Sequence, residues 1–415
     1  MNKIKNETKI ITQHWGKINP RKIGDYLEVG GYGALQKFIS KMTPEEAIQE
    51  VKEAGLCGRG GAGFSTGEKL EMVRKNTAKE KYFICNLDES EPGTWKDRTL
   101  AEKNPHLLLE GIIIGAFAVG AKKAYIYLNG SFEKAQELLD YAIREAEKKK
   151  LLGENILGSQ YSLEVEIFSG AGAYICGEET ALINSLEGNR GEPKARPPYP
   201  TERGLLGQPT VVNNAETLAN IPWIISNGGK IYSKIGSSTS PGTKLFSVSG
   251  AVKNPGIFEA PMGTTLQEII EDYAGGIREG KEVWFAQLGG ASGRLILPEE
   301  FSVKLEYSKE AEFSLGAGGI LVVEKGADIR EILLSLSDFF RFESCGKCVP
   351  CREGTFRLWE IMKRFQDGEI SDADRIAIDD ILWTLENTCF CPLGKFAGIA
   401  IRDAKEKLKA FNSHD

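Results

Sequence analysis

Apolar positions along the chain follow two different periods. In the first half, short apolar runs alternate with amphipathic stretches. "KYFICNLDES", "AYIYLN" and "YSLEVEIFSGAG" read as strands, the first with acidic residues at its carboxyl end. Between them, residues 105–120 and "FEKAQELLDYAIREAEKK" read as helices. Upstream, Thr43-Pro44-Glu45-Glu46 has the form of a capping box, with Pro at the first helical position, and predicts a helix to about Gly55. The glycine-rich "GLCGRGGAGFSTG" separates it from a second helix, about Glu68 to Asn76. Strands alternating with helices predict an α/β layer with a largely parallel sheet.

"KIGSSTSPGTK" (234–244), rich in Gly, Ser and Pro, reads as a linker. Beyond it, "LFSVSGAV", the turn "KNPG", "IFEAPMG", the short helix "TLQEIIEDYAG" and "EVWFAQLGG" suggest a small α+β unit. From Asp328 onward, apolar residues recur at three- and four-residue spacings in four segments with short joins, which predicts a helical bundle. The expected divisions are 1–236, 243–326 and 327–415.

The apolar stretch "LLLEGIIIGAFAVGAKKAYIYL" is broken by Glu110, Lys122 and Lys123, whereas a membrane span needs about 20 apolar residues. It reads as a buried helix running into a strand. "MNKIKNETKI" has no signal-peptide core, so a cytosolic compartment is expected. A net charge of −6 gives no argument for nucleic acid as the main partner. Forty-seven glycines exceed the usual share of about 7% and concentrate in loops, which suggests backbone held close to ligands.

In a cytosolic protein, grouped cysteines more often bind metal than form disulfides. "ESCGKCVPCREG" carries Cys345, Cys348 and Cys351 in one C-x-x-C-x-x-C run, in the join between the first two bundle segments. Zinc sites usually use two separate C-x-x-C pairs. Three thiolates in one run with a fourth elsewhere suit a [4Fe–4S] cluster better, since one segment can hold three corners of the cube. Lys347 and Arg352 lie close enough in sequence to offset its negative charge. The fourth ligand is expected from "NTCFCPLG", which an antiparallel bundle returns to the same end; Cys389 and Cys391 both qualify by spacing.

"GRGGAGF" holds a G-x-G-x-x-G pattern at Gly58, Gly60 and Gly63, with Arg59, Gly61 and Ala62 between them. A helix precedes the loop, so it fails the dinucleotide fingerprint, which needs a strand there. Its physics survives: glycines let backbone N–H groups approach a phosphate or ring, and the next helix presents its positive end. Arg59 and Lys69 are candidate cationic partners. Asn86, Asp88, Glu89, Ser90 and Glu91 follow a strand, where α/β folds bind ligands. A second glycine turn precedes Glu178 and Glu179, which also suit a helix start, and "VVNNAET" adds Asn213 and Asn214. Together these outline a polar pocket for a nucleotide-like cofactor.

Six motifs in order, "GLCGRGGAGFSTGEKL", "NLDESEPGTWKDR", "AYICGEETALINSLEG", "PTVVNNAETLANIP", "ESCGKCVPCREGT" and "CFCPLG", resemble the NADH-binding, FMN-containing flavoprotein subunit of respiratory complex I (the 51-kilodalton type, called the F subunit in bacteria). The resemblance covers roughly residues 24–411. It implies an FMN- and NADH-binding α/β domain, a ubiquitin-like (β-grasp) middle domain, and a C-terminal four-helix bundle with one [4Fe–4S] cluster. It places Gly58 to Gly63, Lys69, Asn86, Asp88, Glu89, Ser90, Tyr174, Gly177, Glu178, Asn213, Asn214 and Thr217 around FMN. Phe64, Glu91, Glu179 and Tyr199 fall on the NADH side. The family pattern selects Cys391 as fourth ligand, before Pro-Leu; the extra Cys389 departs from it, as does Ser65 where many members carry Pro. No catalytic side chain is implied, because the hydride goes to FMN. The implied partners are a thioredoxin-like [2Fe–2S] subunit and a larger Fe–S subunit, with quinone the eventual acceptor and the complex peripheral on the cytoplasmic side of the membrane.

The rival within redox chemistry is the diaphorase subunit of an NAD-dependent hydrogenase or formate dehydrogenase. Those relatives often carry fused domains with more cysteines than this chain has. A different class altogether is a zinc-stabilised, non-redox scaffold.

Overall fold

A computed structural model describes residues 8–307 and 313–411. Thr43 caps α1 (Pro44–Glu53) in the expected reciprocal arrangement with Glu46, and Ser65 caps α2 (Thr66–Lys75). The glycine-rich loop lies between these two helices.

Strand β1 (Tyr82–Leu87) runs into α3 (Lys96–Lys103) and α4 (Pro105–Val119), then β2 (Lys123–Asn129), α5 (Glu133–Lys148) and β3 (Glu164–Gly170). After α6 (Glu179–Leu186), β4 (Thr210–Asn214) returns to the far side of β1, followed by α7 (Ala215–Ala219). Among the described residues the sheet order is β3-β2-β1-β4, and every pairing is parallel. A parallel sheet covered on both faces needs nearly continuous apolar strands, and "YFICNL" supplies one. Phe83, Cys85 and Leu87 face the core built with α4, while Ile84 belongs to a second core that continues into the C-terminal helices.

The expected buried helix is α4, with every residue except Phe117 buried. Its one acid, Glu110, accepts from the Tyr26 hydroxyl at 2.6 Å and from the Tyr32 and Leu35 amides at 2.9 and 3.1 Å, which fixes the N-terminal segment against it. Among the described residues no helix is long and apolar enough to cross a membrane.

Strands β5 (Thr243–Gly250), β6 (Gly256–Pro261), β7 (Val283–Leu288), β8 (Arg294–Ile296) and β9 (Gly319–Glu324) form a mixed sheet of order β6-β5-β9-β7-β8. The linker expected over 234–244 is exposed only in its first part. Ser240 to Lys244 are buried, because the start of β5 is covered by Arg59 of the glycine loop and by Glu216 on α7.

The C-terminal helices are α8 (Ile329–Glu343), α9 (Val349–Gln366), α10 (Asp372–Thr388), α11 (Pro392–Phe396) and α12 (Ile399–Lys407). The expected fourth segment is thus two helices, parted at Ala397–Gly398. A Cβ on Gly398 would fall 2.2 Å from the Leu382 side chain, so glycine here lets the chain pass close to α10.

Candidate functional site

Strand order reverses around β1, whose onward connections lead to β2 while β4 returns on its other side. In open α/β sheets ligands bind at the carboxyl ends of such strands. Here those ends deliver Asn86 to Glu91 from β1 and Asn213 and Asn214 from β4, with Asn86 and Asn214 in register.

The glycine loop lies over this edge. Its two ends are pinned by the Gly58 amide donating to the Phe64 carbonyl at 2.8 Å and the Arg59 amide donating to Thr217 Oγ1 at 2.8 Å. Gly60 packs so closely that a Cβ would meet Asn214 at 3.0 Å. Gly61 and Gly63 have φ of 127° and 63°, a region only glycine enters freely.

The Arg59 side chain departs from the expected role. It is fully buried and donates to the carbonyls of Cys57, Pro241 and Thr243 at 3.0, 2.7 and 3.0 Å. Its charge faces the base of the loop and not a ligand, because the buried start of β5 presents carbonyls that need donors. Lys69 does reach the strand ends, with Nζ 3.0 Å from the Val212 carbonyl and 3.3 Å from Glu179.

Asp88 is buried, and neither of its oxygens makes a well-formed hydrogen bond among the described residues. Burial and the nearby Glu343 carboxylate push it up to about 7, against the pull of the neighbouring Ser90 hydroxyl. Asn213 Nδ2 is likewise buried without a partner among the described residues. Polar atoms left open at the carboxyl ends of β1 and β4 are what a polar ligand would complete. Ala62 lies in the cradle between Gly61 and Gly63.

Other expected residues already have structural tasks. Glu89 accepts from the Asp97 and Arg98 amides at the start of α3. Glu178 caps α6 and pairs with Arg196; Asn214 caps α7 and donates to Asp97 at 2.7 Å. Ser90 Oγ accepts from Asn129, and Asn86 donates to the Gly177 carbonyl at 2.9 Å. Glu179 sits between Lys69 and Arg196, at 3.3 and 3.2 Å. Phe64 and Tyr199 are exposed aromatic rings, 45% and 51% accessible, as a surface for a planar ligand requires.

Tyr174 connects this pocket to the cysteines. Its hydroxyl donates to Glu91, its amide donates to Glu343 at 2.9 Å, and its ring meets Phe339 edge-on. The next residue, Ile175, lines an apolar pocket with Pro193, Lys347 and four cysteines: Cys345, Cys348, Cys351 and Cys391. Lys347 Nζ is held by the Pro193 carbonyl at 2.6 Å and Glu192 at 3.2 Å. Arg352 turns to the Gly346 carbonyl at 2.9 Å. Burial raises Cys391 to about 11. Cys389 does not line the pocket. It packs behind Cys351, against Gly394, and its closeness holds the Cys351 thiol below the usual range. Four thiols lining an apolar pocket fit an iron–sulfur cluster, and the open polar atoms at the strand ends fit a flavin nucleotide.

Sequence reasoning does not single out Lys244, on β5, and Tyr307, in the segment before β9, which support the glycine loop. No local motif marks them; a lysine opening the strand run "KLFSVS" is the available signal.

Comparison with known proteins agrees with this geometry. The family model for the Nuo51 FMN-binding domain matches residues 51–223, that for the SLBB domain 245–295, and that for the NADH-ubiquinone oxidoreductase-F iron–sulfur binding region 331–413. The F subunit of the NADH-quinone oxidoreductase of Aquifex aeolicus is 48% identical over 93% of this chain and 89% of its own length. The F subunit of the Escherichia coli enzyme is 43% identical over 89% of this chain and 82% of its own. The HndC subunit of the NADP-reducing hydrogenase of Solidesulfovibrio fructosivorans is 42% identical over 94% and 80%. A crystal structure of an NAD+-reducing [NiFe]-hydrogenase superposes with a TM-score of 0.85 at 34% identity, covering 98% of this chain and 67% of that one. With an FMN-binding region, an SLBB domain and an iron–sulfur region in this order, the chain belongs to the family of NADH-quinone oxidoreductase F subunits.

Proposed function

We propose that the chain is the NADH-oxidising flavoprotein subunit of an NADH:quinone oxidoreductase. One observation carries this: Tyr174 donates to Glu91 beyond the carboxyl end of β1, while the next residue, Ile175, lines the four-thiol pocket. When bound, FMN takes a two-electron hydride and an adjoining [4Fe–4S] cluster takes electrons singly. The protein's task is then to bind, orient and shield. Asp88, Asn86, Ser90, Asn213, Asn214, Thr217 and the glycine loop hold the flavin; Phe64, Glu91, Glu179 and Tyr199 receive NADH; Cys345, Cys348, Cys351 and Cys391 hold the cluster. Glu89, Glu178 and Arg59 act from beneath, by fixing the helices and loop that carry the others.

The divisions at 1–236, 243–326 and 327–415 accompany this reading. The middle sheet suits a β-grasp, since its second strand lies outside its first and its fifth lies between first and third. The C-terminal helices suit a four-helix bundle with a broken last helix. Electrons leave through partners: a thioredoxin-like [2Fe–2S] subunit and a larger Fe–S subunit, in a complex on the cytoplasmic face of the membrane.

The hydrogenase likenesses favour a second reading, the diaphorase subunit of an NAD-linked hydrogenase. Purification of the chain with its native partners separates the two. The first reading expects FMN and acid-labile sulfide in the purified complex, quinone as acceptor and no hydrogenase subunit. Hydrogen-dependent NAD reduction supports the second. Zinc without flavin or sulfide overturns both.

A further inference from the structure

The glycine loop rests on the middle sheet as well as on the strand ends. A Cβ on Gly61 would meet the Gly316 carbonyl carbon at 3.4 Å, and one on Gly63 would meet Tyr307 at 3.1 Å. Tyr307 in turn donates its hydroxyl to the Gly316 carbonyl at 3.0 Å. Beneath the loop, Lys244 at the start of β5 is fully buried. Its Nζ donates to the Arg59 carbonyl at 3.0 Å and the Ala317 carbonyl at 3.1 Å, and lies 3.5 Å from the Glu216 carboxylate.

Burial pushes the Lys244 amine down to about 7, against the pull of the Glu216 carboxylate, and such a group is costly to bury unless its N–H donors find acceptors. Here two of those donors find carbonyls, on the glycine loop and in the turn before β9, and the group's remaining side faces the Glu216 carboxylate on the helix that follows Asn214. Glu216 also binds Lys96 at 2.8 Å and accepts from the Leu245 amide at 2.7 Å, so it is itself immobile. A salt bridge for stability alone would not need to reach a loop carbonyl.

We infer that Lys244 is a positioning residue for the flavin pocket: from the middle sheet it clamps the carbonyl of Arg59 and so sets the height of the glycine loop over Asn214. The middle unit is then part of the cofactor site. This rests on the reading of the loop as an FMN cradle. A side chain of similar length without donors, in Lys244→Met, frees the loop from below and leaves two buried carbonyls without partners.

The test uses the assembled complex carrying Lys244→Met, Lys244→Arg, Tyr307→Phe or Asp403→Asn. Asp403 is a fully buried acid that binds Arg294 at 2.8 Å, away from the loop, and serves as the stability control. Two quantities are read well below the melting temperature. One is the FMN dissociation constant; the other is hydrogen exchange of amides 58–64 in flavin-depleted complex. Lys244→Met is expected to raise the FMN dissociation constant about tenfold, the effect of a lost charged hydrogen bond, and to speed loop exchange. Lys244→Arg recovers part of both, and Asp403→Asn lowers the melting temperature without moving either. If Lys244→Met does not assemble, Tyr307→Phe decides, with faster loop exchange expected. Unchanged loop exchange in the assembled Lys244→Met complex, or in Tyr307→Phe where Lys244→Met does not assemble, or an equal change in Asp403→Asn, overturns the clamp. A wild-type complex that binds no FMN overturns the cradle reading instead, while the exchange measurement still decides the clamp.

Discussion

The hydroxyl of Tyr174 donates to the carboxylate of Glu91 over 2.6 Å, so a residue proposed for the flavin side holds one proposed for the NADH side. Burial raises the Glu91 carboxyl, and this hydrogen bond is the first of those that restrain it; the Ser292 amide at 3.2 Å is another. Tyr174→Phe removes a bond that favours the ionised form, and the carboxyl then rises further. An ionised Glu91 is the better acceptor for ribose hydroxyls. The acid limb of the kcat/KM profile for NADH is therefore expected to move to higher pH in Tyr174→Phe, with little change above pH 8. A superposable profile would show that Glu91 does not receive substrate.

Glu179→Gln is expected to weaken NADH binding more than FMN retention. The carboxylate lies between Lys69 and Arg196 and is only half-buried, so its removal leaves the flavin-facing backbone in place. Loss of a charged hydrogen bond typically costs about 1.5–3 kcal/mol, or roughly tenfold or more in affinity. An unchanged Michaelis constant for NADH together with lost flavin would reverse the assignment.

Much of this site is legible in the sequence, for identifiable reasons. The Thr43 capping box and the C-x-x-C-x-x-C run are local, so spacing alone exposes them. Strand β4 is not legible: five residues of a parallel strand buried on both faces show no alternation, and "VVNNAET" displays only its amides. Helix α3 is equally hidden, because "KDRTLAEK" is mostly polar, yet Lys96 and Asp97 on it are buried as an ion pair. Arg59 reads as a ligand-facing cation because its inward turn depends on carbonyls some 180 residues away, at Pro241 and Thr243. Tertiary partners of this kind leave no mark on the local pattern.

Asp88 makes stability depend on pH in the flavin-free protein. Its carboxyl is raised from 3.8 to about 7 in the folded chain, so folding favours the protonated form. Its contribution is fully present below about pH 4 and is lost as pH rises through 7. Asp88→Asn, neutral at every pH, should therefore melt higher than the wild type at pH 8 and gain less, or nothing, at pH 5. Parallel melting curves at both pH values would count against a buried, open Asp88. Saturating FMN should shrink the difference, since the flavin would supply partners.

Cys391→Ser should separate the two halves of the reaction, while Cys389→Ser should not. Cys391 lines the pocket with Cys345, Cys348 and Cys351; Cys389 lies behind Cys351, where a Cβ on Gly394 would come within 2.5 Å of its sulfur. Loss of Cys391 removes one thiolate corner, and the cluster should be absent or unstable. The residues proposed to hold the flavin stand on the strand ends and the glycine loop, and Cys391 is not among them. In Cys391→Ser, NADH should still bleach the flavin in stopped flow, and an artificial acceptor drawing on flavin should still turn over. Delivery to the natural acceptor should fall to a small fraction of wild type. Cys389→Ser should keep the low-temperature EPR signal of the cluster, because a hydroxymethyl fills most of the same space beside Gly394. If Cys389→Ser abolishes that signal and Cys391→Ser spares it, the fourth ligand is Cys389. If neither replacement affects it, the fourth corner comes from outside this loop.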